Sequence, residues 1–253
     1  MRRVFQFIND FSYELKGDVG LCVKFIDYIM RNFNKKVLIN CASDLLERVI
    51  QEIGQPVPIQ YFQKISQFIL DNLGNVSNVM ALESFIGCMF KLSNYYQTSE
   101  EISTSLSGSL SVVEAKYAQY YEQRAQWREN KHILIGMLQL LEVTIKNLNS
   151  KTNVQIYETF VQKFLERFYG ELNSAFEEFH DISGIQKPFN SVYRSIINAC
   201  PIEIYNYAPQ MLDTLFAIMR KNPIKYADSL GLCEGLIATN SDNDFIKIWV
   251  RDH

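Results

Sequence analysis

Apolar residues recur at steps of three and four positions along almost the whole chain. This is the period of amphipathic helices and not of strands. Clear stripes of this kind cover residues 22–33, 38–49 and 134–145. The longest covers 157–179 and is rich in phenylalanine and tyrosine. We therefore expect a chain built of helices, with no β-sheet.

Short segments rich in Gly, Pro, Asn and Ser separate the stripes, for example at 54–56, 72–75 and 147–150, and such segments end one helix before the next begins. Connections this short make neighbouring helices pack antiparallel. Successive hairpins begin about 35–55 residues apart, close to the HEAT period. We predict an all-α fold, a single HEAT- or armadillo-like α-solenoid over residues 1–253. The predicted hairpins cover residues 18–53, 58–97, 111–150, 153–199 and 209–239.

One segment departs from this pattern. Residues 97–110 are rich in Ser and Thr and carry no recognisable helical stripe, so a long mobile loop is expected there. Ser111 and Glu114 then match a capping box that restarts a helix. From Val112 to Leu148 the chain has no proline and a single glycine, Gly136, so this stretch is compatible with one long helix as well as with two.

Composition narrows the function classes. The chain has 25 Lys plus Arg and 28 Asp plus Glu, and it lacks the basic stripe expected of a nucleic-acid-binding protein. It has no apolar run long enough for a membrane span and no signal-peptide stretch at its start. The scattered cysteines indicate buried thiols in a reducing compartment, so we expect the cytoplasm and nucleus. They are Cys22, Cys41, Cys88, Cys200 and Cys233.

Two Glu-x-x-His pairs, Glu129 with His132 and Glu177 with His180, raise a helical-bundle metalloprotein as a remote alternative, because such pairs hold di-iron sites in ferritin-like bundles. That site also needs two inward carboxylates on other helices. His132 lies off its apolar stripe and is expected in solvent, whereas His180 falls at a helix end, where it can bind the last carbonyls.

Motifs of the common catalytic sites are absent from the sequence. It contains no Gly-rich phosphate loop, no Cys-x-x-Cys pair and no Gly-x-Ser-x-Gly element. Its three histidines form no cluster with candidate acids or nucleophiles. We therefore expect neither enzymatic activity nor a cofactor.

The most site-like segment is aromatic and polar at once. Tyr120, Tyr121, Arg124 and Trp127 lie at helical spacings that bring three of them onto one face if the segment is helical. Tyrosine, tryptophan and arginine are enriched at interface hot spots. We predict that these four residues form part of a partner-binding surface. The alternative is that the aromatic rings pack against neighbouring helices of the same chain.

A family resemblance is carried by residues 211–223. There a helix with the order Asp-x-Leu-Phe, beginning at Asp213, ends in a basic residue, a polar residue and Pro223. This segment, within the broader region 185–239, resembles a helix-turn-helix of the importin-β superfamily of nuclear transport receptors, nearest to the transportin-SR and importin-13-like branch. The resemblance implies a HEAT-repeat solenoid that carries cargo between cytoplasm and nucleus.

The resemblance also implies protein partners, with basic cargo domains as the first choice. Members of the superfamily begin with a Ran-binding region, which cannot be matched in this chain, and binding of the Ran GTPase is therefore left open. They are also several times longer, which is compatible with a piece of a longer solenoid. A HEAT or armadillo scaffold outside nuclear transport accounts equally well for the paired helices and the acidic composition.

Overall fold

The computed structural model describes residues 10, 12–32, 39–73, 76, 79–148, 154–199, 203–221 and 226–252. Within these ranges the regular elements are helices and none is a strand, so the predicted all-α class is confirmed. The eleven α-helices of the described ranges are α1 (Val19–Asn32), α2 (Ile39–Ile53), α3 (Ile59–Asn72), α4 (Val79–Ser93), α5 (Ser99–Tyr121), α6 (Lys131–Leu148), α7 (Val154–Phe179), α8 (Gln186–Ala199), α9 (Ala208–Lys221), α10 (Leu230–Thr239) and α11 (Asp244–Asp252).

The chain divides into two compact units, Met1–Glu122 and Gln123–His253. Short 3₁₀ turns interrupt both units, at Ser12–Leu15, Arg124–Gln126, Glu203–Asn206 and Ala227–Ser229. The predicted break at 54–56 is confirmed: Gly54 follows α2 at φ +62°, a conformation that ends a helix and favours glycine.

In the first unit, helices pack against the next one but one as well as against their direct neighbours. Helix α2 packs against α4, and α3 packs against α5. Lys91 Nζ lies 2.6 Å from Glu47 Oε1, and the Tyr95 hydroxyl donates to Ile50 O at 3.2 Å. Glu47 precedes Ile50 along α2, and their partners follow in the same order, Lys91 in α4 and Tyr95 just after it. The two helices therefore run in the same direction.

Helix α5 follows α3 in the same way. Phe62, near the start of α3, lies against Gly108, and Lys116 Nζ donates to Leu73 O at the end of α3, at 2.8 Å. The contacts again ascend together, so α3 and α5 are parallel.

The Ser/Thr-rich segment is helical, and the predicted mobile loop at 97–110 is wrong. Helix α5 starts directly after Thr98, whose Oγ1 accepts from Glu101 N at 3.3 Å and donates to Glu101 Oε2 at 2.9 Å. The capping hydroxyl thus satisfies a backbone donor at the helix start. The capping box predicted at Ser111 is also wrong, because Ser111 lies inside α5 and donates to Ser107 O.

The buried face of α5 mixes apolar residues with serines. Ser105 donates to Ile102 O and Ser109 donates to Ser105 O, both at 2.9 Å, so each buried hydroxyl is satisfied by its own helix. Small side chains of this kind allow a close neighbour: a Cβ added to Gly108 would lie 3.1 Å from the Phe62 ring. The buried face of α5 does not appear as an apolar stripe in the sequence, because serines occupy part of it.

The second unit repeats the alternate packing. Helix α7 packs against α9 and α9 against α11, while α6 packs against α8 and α8 against α10. The rings of Tyr169 and Tyr207 are 4.7 Å apart, and farther along both helices Asn173 Nδ2 donates to Thr214 Oγ1 at 2.9 Å. Helices α7 and α9 therefore run in the same direction.

Helices α6 and α8 are parallel by the same criterion. Lys131, which opens α6, donates to Ser183 O just before α8, and Ser191 within α8 donates to Glu142 at 2.7 Å.

The stretch 112–148 contains two helices, not one. Helix α5 ends at Tyr121 and α6 begins at Lys131, with the 3₁₀ turn Arg124–Gln126 between them.

Most of the predicted stripes supply the core. Leu138 and Phe176 are fully buried, as are Cys22 and Cys88, and Cys233 is nearly so. Burial raises the pKa of each of these three thiols, to about 12 for Cys233. Cys41 is exposed, against the prediction that the cysteines are buried. Of the predicted break at 147–150, residues 147 and 148 still belong to α6. Residues 149–150, Cys200 and the Asn-Pro pair at 222–223 lie outside the described residues.

Candidate functional site

The four residues predicted to form a partner surface belong to both units, and each half is best described by itself. In the first unit, Tyr120 and Tyr121 end α5 and are half-buried. The Tyr121 ring stacks on Tyr117, with centroids 5.7 Å apart, and Lys116 Nζ lies 4.9 Å from the Tyr120 ring centroid. Burial raises the pKa of the Tyr120 hydroxyl to about 12.

In the second unit, Trp127 lies in the interior. Its side chain has no exposed surface, and its ring meets Phe179 edge-on with centroids 5.2 Å apart. The Arg124 guanidinium lies 5.5 Å from the centroids of both rings, and its Nη2 is 2.6 Å from Glu178 Oε2. Arginine therefore covers an aromatic pair at the C-terminal end of α7 and pairs with the adjacent carboxylate.

The predicted single face of Tyr120, Arg124 and Trp127 is not formed. The α-helix ends at Tyr121, and Arg124 lies in the following 3₁₀ turn. Trp127 has no exposed surface, so its ring is not accessible to a partner in this structure, and the partner-binding role of the four residues stays a prediction. The Trp127 ring packs against a neighbouring helix of the same chain, as the alternative describes.

A second arginine, Arg128, connects the segment after the 3₁₀ turn Arg124–Gln126 to the end of α7. Arg128 Nη1 donates to both carboxylate oxygens of Asp181, at 3.1 and 3.0 Å, and its Nη2 donates to Glu178 O at 2.7 Å. The hydrogen bond from Arg128 lowers the pKa of Asp181. We call Arg124, Trp127, Arg128 and their partners Glu178, Phe179 and Asp181 the turn clasp. Its contacts join residues far apart in the chain, so local spacing could not reveal them.

The two Glu-x-x-His pairs have different surroundings. Glu129 and His132 are both exposed, which confirms the predicted solvated position of the first pair. His180 is buried just after α7, its Nδ1 is 2.9 Å from Glu177 O, and its Nε2 is 3.4 Å from Lys221 Nζ. The predicted contact of this imidazole with the last carbonyls of the helix is therefore confirmed.

The carboxylate of Glu177 takes part in a polar network. Its Oε1 accepts from Thr214 Oγ1 at 3.1 Å and from Asn173 Nδ2 at 3.2 Å, and Asn173 Oδ1 accepts from the Tyr193 hydroxyl. These bonds link α7, α8 and α9. No group of three or more His, Cys, Asp or Glu side chains suited to a metal ion occurs among the residues that the structure describes.

An open polar groove of about 420 Å³ lies between the exposed face of α7 and the turn that precedes α9. We call it the α7 groove. No local sequence pattern marks this groove, because the contributing residues of α7 have the pattern of an ordinary solvated face and the turn follows much later in the chain. Its main lining residues are Gln155, Glu158, Gln162, Glu166, Asn206 and Tyr207.

A second groove, of about 390 Å³, lies between α1 and α3 in the first unit. Met30 and Phe68 supply apolar lining, and Asp27 and Lys64 contribute charge. Lys64 Nζ lies 2.7 Å from Asp27 Oδ1, and the hydrogen bond from this lysine lowers the pKa of Asp27. The acidic charge of Asp27 is thus neutralised within the chain.

Comparison with known proteins finds no matching family model, no similar curated protein and no similar solved structure. None of the described helices combines the length and the apolar composition needed to cross a lipid bilayer. A function can therefore be proposed only from the packing and the surfaces of this chain.

Proposed function

We propose that the protein is a non-catalytic α-solenoid that binds other proteins, and that it acts as a cargo-binding protein of the nuclear-transport-receptor kind. The observation that carries this proposal is the alternate packing of parallel helices, which occurs in both units. In the first unit, α3 and α5 form one layer, and α2 and α4 form the other. In the second, α6 and α8 form one layer, and α7 and α9 form the other.

Two layers of alternating helices are the architecture of HEAT and armadillo repeats, in which each repeat packs only against its neighbours. A repeat of this kind has no enclosed centre in which catalytic groups converge. It exposes instead one long face of each layer, and partners bind along these faces. The architecture thus supports protein binding as the function.

The residues that carry the importin-β resemblance have packing roles in the second unit. Leu215 is buried, the Phe216 ring lies 4.8 Å from the Trp249 ring, and Asp213 Oδ1 accepts from Trp249 Nε1 at 2.6 Å. The Asp-x-Leu-Phe order therefore docks α9 onto α11. It supports the transport proposal only through helix packing and does not identify a cargo site.

The proposal is tested with purified components. A fluorescent, folded basic domain is titrated with the chain, and an acidic domain of similar size serves as the control probe. We expect the basic domain to bind more tightly, since the chain carries a net charge of -3. Ran loaded with a non-hydrolysable GTP analogue should release the bound domain, and Ran loaded with GDP should not.

The outcomes separate the alternatives. Binding that is insensitive to both forms of Ran would contradict the transport function and support a HEAT or armadillo scaffold outside nuclear transport. Equal binding of the basic and acidic domains would contradict recognition by charge. Failure of both domains to bind would count against protein binding in the form proposed.

A further inference from the structure

Two acidic side chains line the α7 groove. Glu158 and Glu166 are exposed on α7 and line the groove. Glu166 Oε1 accepts from the Gln162 amide at 2.8 Å. Among the described residues, neither glutamate has a Lys or Arg nitrogen within 4.0 Å. The groove between α1 and α3 differs, because basic residues line it as well, and one of them, Lys64, pairs with Asp27.

The nearby cations of α7 have other contacts. Lys163 Nζ lies 4.6 Å from the centroid of the Phe160 ring. Arg167 Nη1 lies 3.0 Å from Glu171 Oε1, and the guanidinium lies 5.3 Å from the centroid of the Phe168 ring. The basic side chains Lys163 and Arg167 therefore contact groups other than the two groove glutamates.

The opposite wall of the groove is held in place. The Tyr207 ring packs on Tyr169 at 4.7 Å, and Asn243 Nδ2 donates to Tyr205 O at 2.8 Å from the connection between α10 and α11. Asn243 is fully buried. Burial and, to a lesser extent, the negative charge of Glu166 raise the pKa of Tyr207. The Tyr207 hydroxyl therefore interacts electrostatically with this carboxylate. Tyr207 thus offers a neutral, half-buried ring next to an acidic side chain.

We propose that the α7 groove docks an extended segment of a partner protein that carries two basic residues four positions apart. This inference rests on protein binding as the function of the chain. The two glutamates would pair with the two basic side chains, and the ring of Tyr207 offers a surface on which an arginine can stack.

The spacing follows from the geometry of both partners. Glu158 and Glu166 are eight residues apart on one helix, which corresponds to about 12 Å along its axis. An extended chain advances about 3.3 Å per residue and its side chains alternate sides, so basic residues four positions apart span about 13 Å and point to the same side. Adjacent basic residues are only about 3.3 Å apart along an extended chain and point to opposite sides, so they match the two carboxylates less well. Nucleic acid is disfavoured, because its phosphates would be repelled by the same two glutamates.

The test uses the full chain and two short fluorescent peptides on a glycine-serine background. One peptide has two arginines four positions apart, and the other has the same composition with the arginines adjacent. Fluorescence anisotropy should show about five- to tenfold tighter binding of the spaced peptide, the effect of one additional exposed ion pair together with ring stacking. Added salt should weaken this binding.

Two charge-matched variants locate the binding. Glu158→Gln combined with Glu166→Gln should abolish the preference for the spaced peptide. The control is Glu129→Gln combined with Glu234→Gln, which removes the same charge from exposed positions of the same unit outside the groove and should preserve the preference. Circular dichroism of both variants checks that the helices are intact.

Equal affinity for the two peptides would overturn the proposal, as would an equal loss of binding in the two double variants, because either result indicates attraction by net charge alone. The folded basic domain of the previous test distinguishes a failure of the groove assignment from a failure of protein binding as the function. If that domain binds but the spaced peptide shows no preference, only the groove assignment fails. If neither binds, protein binding fails as well.

Discussion

Of the described helices the two longest are α7 and α5, and their buried faces consist of different kinds of side chain. Helix α7 has 26 residues and uses a nearly continuous series of phenylalanines and tyrosines. Helix α5 has 23 residues and alternates Ile, Leu and Val with buried serines. Both are helices packed against neighbours within their own units. A buried helical face in this protein is therefore defined by the period of its positions and by side-chain size, and not by hydrophobicity alone.

The difference lies in how each helix fills the space beside it. Phe176 on α7 contacts two other rings, with centroids 4.5 Å from Phe189 and 5.5 Å from Tyr193. On α5 the filling comes from the neighbour, since the Phe62 ring of α3 reaches the backbone at Gly108. Loss of a large side chain should therefore matter most on α7, and addition of one should matter most on α5.

The largest effect is expected for Phe176→Ala. Removal of a fully buried ring should lower the free energy of unfolding by about 3–5 kcal/mol, through lost burial and the cavity that remains. Urea unfolding followed by circular dichroism measures the change. Met80→Ala is the control, because that side chain is 72% exposed and its loss should change stability by less than about 0.5 kcal/mol. Equal effects of the two changes would contradict the packing assigned to α7.

An intermediate effect is expected when leucine is added to α5. Ser109 is fully buried, so Ser109→Leu should overpack the contact and lower the free energy of unfolding by about 1–3 kcal/mol. Ser111→Leu makes the same substitution on the exposed side and should change it by less than about 0.5 kcal/mol. The same urea experiment distinguishes them. A flexible segment would tolerate both leucines alike, and that result would count against the helix.

The smallest effect concerns one glycine on each helix. A Cβ at Gly170 of α7 would meet nothing within 4 Å, so Gly170→Ala should raise the free energy of unfolding by about 0.5–1 kcal/mol, because alanine favours the helix. Gly108→Ala should gain less, since its Cβ would press on the Phe62 ring at 3.1 Å. Thermal melts of the two variants measure the difference. A larger increase in stability for Gly108→Ala than for Gly170→Ala would show that the Phe62 ring can move aside without loss of packing energy.

Much of the helical layout could be predicted from the sequence. Helix α7 was evident from its aromatic period, and the break after α2 from Gly54. The first half of α5, residues 99–110, was not predicted as helix, because serine counts as polar in a search for apolar stripes although its hydroxyl can bond within the helix. A signal for its start was present in the sequence: Thr98 and Glu101 have capping-box spacing, and this pair does cap the helix.

The candidate sites were harder to predict, because they depend on contacts between distant parts of the chain. Neither proline nor glycine marks the end of α5 at Tyr121, and Trp127 is placed by its contact with Phe179. The α7 groove needs the turn at Asn206, which no local pattern connects with Glu158. Local spacing can identify the residue types of such sites, but it cannot determine which side of a helix the fold leaves open.

The lysine that joins α5 to the end of α3 links stability to proton binding. Lys116 is buried, and its ammonium donates to the carbonyls of Leu73 and Val76 and to the amide of Gln119, all uncharged. Burial lowers its pKa below the ordinary value of 10.5. Between the lowered pKa and 10.5 the unfolded chain binds a proton that the folded chain does not. Unfolding then consumes a proton, and the contribution of this lysine to stability becomes more favourable as the pH rises through that interval.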